Sequence, residues 1–149
     1  MTDLARGLVI DTSVLVADAR PSEAGHAASK ALLAALADHG VTVHIPAIAL
    51  AEIAAAITRA VGDPWLAQRT SEAYGRRPGV HIVAVDHALG QTAARLAAEQ
   101  RLRGCDAIYV ALAQTLGAAL ITLDREQGER TPPSVDARTP GDALAWFQQ

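Results

Sequence analysis

The segment Leu8-Val9-Ile10-Asp11-Thr12-Ser13 gives the clearest indication of how this chain folds. Its three apolar residues, two of them β-branched, run directly into the carboxylate of Asp11. A short, continuous apolar run of this kind predicts a central strand that is buried on both faces. Open α/β folds build their sites at the carboxyl ends of such strands. We therefore expect Asp11 to lie at the carboxyl edge of a parallel sheet.

The composition predicts a single domain over residues 1–149, long enough to bury a sizeable core. Half of the residues are hydrophobic but only 3% are aromatic, as in a tightly packed protein of helices and sheet. The formal net charge of -3 gives no overall basic signal for nucleic acid. An acidic metal site would, however, offset local basic patches in that sum.

Cysteine usage and hydropathy give expectations about location. Cys105 is the only cysteine, so the chain cannot form an intrachain disulfide, and a reducing cytoplasm is expected. The N-terminal residues lack the apolar core of a signal peptide, and no apolar run reaches the length of a membrane span. We therefore expect a cytoplasmic protein that does not enter a membrane.

Further apolar runs alternate with helical segments along the chain. Strands are predicted over residues 8–10, 41–45, 80–85 and 119–123, with a weakly marked fifth near Val135. Helices are predicted over 23–38, 47–61, 64–74, 87–103, 107–116 and from Thr139 onward, with Gly104 as a stop signal and a loop around Gly128. Strands separated by helices pair in parallel through right-handed crossovers. The predicted fold class is therefore α/β, a three-layer α/β/α sandwich around a central parallel sheet of four to five strands.

Carboxylates occupy the positions of this pattern where chemistry is expected. Asp11 and Asp124 each follow a predicted strand, and Asp106 opens a predicted helix. A turn or a helix cap explains each of these three residues when it is taken alone. Glu52 differs, because its helical neighbours three and four residues away are all apolar: Ile48, Ala49, Ala55 and Ala56. A glutamate in such a stripe is unfavourable unless a cation meets it or the helix exposes it.

Together, the four carboxylates Asp11, Glu52, Asp106 and Asp124 predict a metal site. Carboxylates that converge at one edge of a sheet repel each other and cannot all stay ionised without a cation. Oxygen ligands without a histidine or cysteine cluster select Mg²⁺ or Mn²⁺ over zinc. A water on such an ion is a nucleophile for attack on phosphorus. The residues therefore indicate metal-dependent hydrolysis of phosphodiester bonds.

The same residues resemble the signature of a known family. They comprise Asp11-Thr12-Ser13, Glu52 in its apolar helix, the run Gly-Cys-Asp-Ala-Ile-Tyr-Val-Ala-Leu-Ala at 104–113, and Ile121-Thr122-Leu123-Asp124. In order and spacing they are similar to the PIN-domain ribonucleases. The chain most closely resembles the VapC-type toxins of bacterial toxin–antitoxin pairs, and the resemblance covers nearly its whole length.

This resemblance implies a five-stranded parallel sheet and an acidic Mg²⁺ or Mn²⁺ site that cuts single-stranded or structured RNA. It also implies a homodimer and a cognate VapB-type antitoxin that occludes the site. The matching acidic quartet is Asp11, Glu52, Asp106 and Asp124. Within it, we expect Asp11 and Asp106 to be the main metal ligands and Asp124 to bind the metal directly or through water. Glu52 would hold metal waters or act as a base.

Other residues are candidates for binding the substrate. Ser13 and Thr122 match the polar residues that often line such sites in the family. Arg125, directly after Asp124, is the arginine best placed to meet an RNA phosphate. Weaker candidates of the same type are Arg76, Arg77, Arg101 and Arg103.

Two alternative functions remain at this point. A receiver-like signalling domain also places acidic residues and Mg²⁺ at a sheet edge, but it needs a lysine near the last strands. The only lysine here is Lys30, in an early helix. The other alternative is a non-catalytic PIN-fold binding module that acts through a protein partner, against which the intact quartet argues.

Overall fold

A parallel sheet forms the centre of the computed structural model, which describes residues 3–148. Within those residues the strands are β1 (Leu8–Ile10), β2 (Val43–Pro46), β3 (Val80–Val83), β4 (Ala119–Ile121) and β5 (Ala137–Arg138). Their order in the sheet is β3-β2-β1-β4-β5, and every neighbouring pair is parallel. The predicted sheet is confirmed, and β1 lies at its centre as expected from its apolar sequence.

Helices cover both faces of this sheet. They are α1 (Thr12–Ala19), α2 (His26–Asp38), α3 (Ile48–Val61), α4 (Pro64–Gly75), α5 (His87–Gln100), α6 (Gly104–Leu116), α7 (Arg125–Arg130) and α8 (Pro140–Leu144). Helix α6 contacts β1, β2 and β4 and packs against α5. Helix α1 packs against α2 and α3, and α3 packs against α4. The result is the predicted three-layer α/β/α sandwich.

Burial of the two central strands explains why the sheet holds its register. All residues of β1 and β4 are buried, and Leu8, Val9 and Ile10 pair with Ala119, Leu120 and Ile121. A parallel strand covered by helices on both faces loses its core contacts if it slips by one residue. The last residues of β1 and β4 are therefore fixed side by side.

No helix within residues 3–148 is both long enough and apolar enough to cross a bilayer.

Several predicted boundaries were wrong near the sheet edge. Helix α5 ends at Gln100, because Arg101 adopts a left-handed backbone conformation with φ 55°. Gly104 begins α6 instead of stopping α5, and Asp106 lies in the first turn of α6 instead of capping it. The predicted loop around Gly128 contains the short helix α7.

The fifth strand is also displaced from its predicted position. It is formed by Ala137–Arg138, next to β4, whereas Val135 is buried just before it. Two residues are too few to produce a recognisable alternation of apolar and polar side chains, so the sequence marked this strand only weakly.

Truncation of Leu120, which is fully buried in β4, should test the central layer. We expect Leu120→Ala to lower the free energy of unfolding by about 2–5 kcal/mol, because it leaves a cavity in the core. The matched control is Leu66→Ala in α4, where the leucine is 40% exposed. Urea denaturation should show a much smaller loss for the control, and equal losses would contradict the described core.

Candidate active site

An open cleft of about 680 Å³ lies at the carboxyl edge of the sheet. All four carboxylates that the sequence singled out line it: Asp11, Glu52, Asp106 and Asp124. They reach it from the end of β1, from α3, from the first turn of α6 and from the residue that follows β4 and caps α7. The convergence expected from the sequence is therefore present in the fold.

Asp11 is the most buried carboxylate of the cleft. It caps α1, and its Oδ2 accepts a hydrogen bond of 3.0 Å from the backbone N–H of Ser13. Burial raises the pKa of Asp11 above its ordinary value, and the hydrogen bonds from Ser13 partly oppose that rise. The negative charges of Asp106 and Glu52 raise the pKa further. Asp106 and Glu52 are therefore close enough to Asp11 to repel its carboxylate.

Hydroxyl groups hold Glu52, the carboxylate that stood out in an apolar helix. Tyr109 donates a hydrogen bond of 2.8 Å to Glu52 Oε1, and Thr12 donates one of 3.3 Å to the same oxygen. The hydroxyls of Thr12 and Tyr109 also contact each other. Burial and the nearby charge of Glu52 raise the pKa of Tyr109, so its hydroxyl keeps its proton and remains a donor. The partner of Glu52 is a pair of neutral hydroxyls and not an arginine.

Arg103 connects the two remaining carboxylates at the mouth of the cleft. Its Nε donates to Asp106 Oδ2 at 2.9 Å, and its Nη2 donates to Asp124 Oδ2 at 2.7 Å. The two carboxylates raise the pKa of Arg103, and its side chain is 68% exposed. Arg103 therefore lies at the entrance of the cleft, with solvent on its other side.

A buried polar platform beneath the cleft fixes the backbone around Asp124. The Thr122 hydroxyl accepts from the N–H of Asp124 at 2.9 Å and donates to Gln127 Oε1 at 2.7 Å. Gln127 is fully buried, and its Nε2 donates to the backbone oxygen of Asp106 at 3.3 Å. Gln127 thus ties the α7 segment to α6. Sequence reasoning missed this residue, because a lone glutamine in a polar segment gives no signal of burial.

The predicted substrate-binding residues lie at different depths. Ser13 lines the cleft, and its Oγ accepts from the N–H of Leu123 at 3.0 Å. Thr122 is buried in the platform below. Arg125 points elsewhere: its Nε donates to Glu129 at 2.8 Å, and it is not among the residues that line the cleft. The arginines that do line it are Arg59 and Arg103.

A protein-family model matches the part of the chain that forms this cleft. Residues 8–131 match the model of the PIN domain family, a span that runs from β1 through α7 and contains all four carboxylates. The chain belongs to the PIN domain family. No curated protein matches it in sequence.

Solved structures support the fold of this PIN domain. Mycobacterium tuberculosis VapC20, a sarcin-ricin loop cleaving toxin, superposes with a TM-score of 0.73 at 20% identity, over 87% of this chain and 99% of VapC20. Neisseria gonorrhoeae FitAcB gives 0.69 at 18% identity, over 89% and 97% of the two chains. A toxin–antitoxin complex from Klebsiella pneumoniae gives 0.66 at 22% identity, over 90% and 98%. At these identities the likeness concerns the fold.

The donor chemistry of the PIN domain cleft suits a hard divalent cation. Asp11 and Glu52 have no basic side chain within ion-pair distance among residues 3–148. In that part of the chain, no three histidine, cysteine or acidic side chains are close enough to enclose a metal ion directly. Mg²⁺ requires no such cage, because it keeps several waters and binds through one or two carboxylates. The oxygen-only donor set therefore fits Mg²⁺ or Mn²⁺.

The raised pKa of Asp11 gives a prediction about stability in metal-free buffer. The folded state holds the Asp11 proton more tightly than the unfolded state, so this residue's contribution to stability declines as pH rises from about 3.8 through the folded value. Asparagine caps a helix as well as aspartate does. We therefore expect Asp11→Asn to unfold at higher urea concentration than wild type at pH 7, with the difference vanishing near pH 3.

The matched control for this titration is Asp86→Asn. Asp86 caps α5 through Leu89, as Asp11 caps α1, but it is exposed and lies outside the cleft. A gain in stability at pH 7 that is equal in the two variants would show that burial beside other carboxylates is not its cause.

Proposed function

We propose that this PIN domain is a metal-dependent endoribonuclease, the toxin of a type II toxin–antitoxin pair, which hydrolyses RNA phosphodiester bonds in the cleft. The observation that supports the proposal is the meeting of Asp11, Glu52, Asp106 and Asp124 in one open cleft where a single arginine pairs with only two of them. Negative charge in such excess serves no purpose in packing, and a divalent cation bound in the cleft would compensate it.

Each carboxylate has a role in this proposal that follows from its surroundings. Asp11 and Asp106 would be the main ligands of the ion, and Asp124 would bind it directly or through water. Mg²⁺ or Mn²⁺, when bound, would compensate charge on the phosphate and lower the pKa of an attacking water. Glu52 is held by Thr12 and Tyr109 through one oxygen, Oε1, which leaves Oε2 to orient water or accept a proton.

The cations and hydroxyls of the cleft would position the substrate. Ser13 lies in the cleft beside Asp11 and would contact the RNA. Arg103 would move from the carboxylates to the phosphate once the metal ion compensates them, since guanidinium pairs with phosphate in the same two-pronged way. Thr122 would act from below, by holding the N–H of Asp124. A contact between Arg125 and RNA remains a prediction.

The proposed biological setting follows from the solved neighbours. VapC20 is a toxin that cleaves the sarcin-ricin loop, and the Klebsiella structure is a toxin–antitoxin complex. By analogy, we propose an RNA substrate, a cognate VapB-type antitoxin, a homodimer and a cytoplasmic location for this chain, which would function as one domain.

The alternative, a non-catalytic PIN-fold module that works through a protein partner, is favoured by one observation: Arg103 already pairs with Asp106 and Asp124.

Replacement of Asp106 should separate these two functions. Asp106→Asn keeps the side-chain shape but removes a charge at the metal, and we expect it to lower the cleavage rate by at least about 10²-fold, as loss of one electrostatic contact in an active site does. The measurement is Mg²⁺-dependent cleavage of total cellular RNA, followed by sequencing of the new ends. Asp38→Asn, at an exposed position in α2, is the control. Equal cleavage by wild type and Asp106→Asn would refute the assignment.

Metal binding should also be visible without any RNA. At ten times its dissociation constant, Mg²⁺ or Mn²⁺ should stabilise the folded protein by about 1.4 kcal/mol, which raises the unfolding temperature by roughly 3–5 °C in a chain of this size. The shift should disappear in Asp11→Asn. Potassium chloride at matched ionic strength is the control, and an equal shift in wild type and variant would argue against a metal site in the cleft.

A further inference from the structure

A second groove, of about 690 Å³, lies outside the carboxylate cleft, between α4 and the end of α1. Three arginines, Arg69, Arg76 and Arg77, line it, and no acidic residue does. The chain as a whole has a net charge of -3, so this groove is a local exception to its charge balance. A surface of this charge fits an anionic ligand.

Two of the three guanidiniums have no ionic partner in the described part of the chain. Arg69 and Arg76 form no ion pair there, and both side chains are exposed. Arg77 has only a long contact of 3.4 Å with Asp18, whose carboxylate also accepts a hydrogen bond from Tyr74. Asp18 is therefore engaged in joining α1 to α4, and the positive charge of the groove faces solvent.

An exposed aromatic side chain adjoins Arg69, one of the three arginines. Trp65, in the first turn of α4, is 66% exposed, and the guanidinium of Arg69 lies 4.8 Å from its ring centroid. Such an indole would normally be buried or covered. An aromatic ring beside basic side chains is the arrangement on which proteins stack the bases of single-stranded nucleic acid.

Helix α1 connects this groove with the carboxylate cleft. It begins at Asp11 in the cleft and ends at Ala19, which lines the groove. Eight residues of helix span about 12 Å, a distance that a few nucleotides of an extended single strand can cover. A strand whose phosphate lies in the cleft can therefore reach the groove by crossing α1.

The charge of the cleft explains why a second contact is needed. Five carboxylates and two guanidiniums line the cleft, so it repels a polyanion unless a metal ion is bound. Substrate affinity that does not depend on the metal must come from another surface. An acidic protein segment would also match the charge of the arginines. It would not explain the exposed ring of Trp65 beside Arg69 or the connection to the cleft along α1, whereas single-stranded RNA explains both.

We propose that Arg69, Arg76 and Arg77 bind the phosphate backbone of single-stranded RNA, with Trp65 stacking on a base, a few nucleotides from the bond held in the cleft. This inference rests on the proposed ribonuclease function and extends it, since it assigns the substrate an unpaired segment that must continue beyond the scissile phosphate. In this proposal the groove holds the RNA, and hydrolysis of the phosphodiester bond takes place in the cleft.

The test measures RNA binding separately from cleavage. The host is the Asp106→Asn protein in EDTA, and the probe is a fluorescein-labelled, unstructured 12-nucleotide RNA of mixed sequence, followed by anisotropy. Adding Arg69→Ala and Arg76→Ala should weaken binding at least tenfold and reduce the slope of log affinity against log salt by about 1.4, since each phosphate contact to a single strand contributes about 0.7. Trp65→Ala should weaken binding about fivefold or more.

Two controls isolate the groove from charge in general. Lys30→Ala with Arg95→Ala removes the same charge from exposed positions in α2 and α5 and should leave the affinity within twofold. Replacing Arg69 and Arg76 by lysine should restore most of the salt slope.

The outcomes distinguish this inference from the proposed function. Unchanged binding of the 12-mer by the Arg69 and Arg76 double variant would refute the proposed role of the groove, whether or not the wild-type protein cleaves RNA. A loss of affinity for a 15-residue polyglutamate peptide that exceeds the loss for RNA would also overturn it, in favour of a protein partner. Loss of RNA binding alone supports the groove, and wild-type cleavage of total RNA then decides the nuclease function independently.

Discussion

Repulsion between Asp11 and its neighbouring carboxylates is an unfavourable interaction that the packing of this fold has to offset. The parallel pairing of β1 with β4 places Asp11 and Asp124 at the same edge of the sheet, and helices bring Glu52 and Asp106 to meet them. The apolar core must hold these groups together against their charge. It does so with strands and helices whose inner residues are buried almost without exception.

Different groups reduce the repulsion in different parts of the cleft. At its base, neutral donors satisfy the oxygens: Ser13 donates to Asp11, while Thr12 and Tyr109 donate to Glu52. At its mouth, Arg103 provides a positive charge. The carboxylates at the base therefore have neutral partners, whereas those at the mouth share a charged and exposed one.

The predictable parts of the site are those that follow from local sequence. Asp11 and Asp124 come directly after apolar runs, and the carboxyl ends of parallel strands necessarily share an edge. Glu52 was noticeable because it interrupts an apolar helix face. Its actual partners, Thr12 and Tyr109, lie 40 and 57 residues away in sequence, and only the packing of α1, α3 and α6 brings them to it. The sequence could signal the need for a partner, but not which one.

The arginines show why sequence adjacency is a poor guide to a cleft. Arg125 follows Asp124 directly, but it lies in the first turn of α7, where Glu129 four residues later is its nearest neighbour on the helix surface. Arg103 is 21 residues from Asp124 and reaches it through the turn between α5 and α6. The short, polar helix α7 has no apolar periodicity, so the sequence did not indicate which way the Arg125 side chain points. Gln127 was hidden for the same reason.

The position of Arg103 bears on how the protein is made. Its guanidinium lies across Asp106 and Asp124 from within the same chain, so the newly synthesised polypeptide carries its own provisional counter-ion. Under the proposed function, a divalent ion that enters the cleft would replace one positive charge by another. The fold would then form without waiting for a supply of metal.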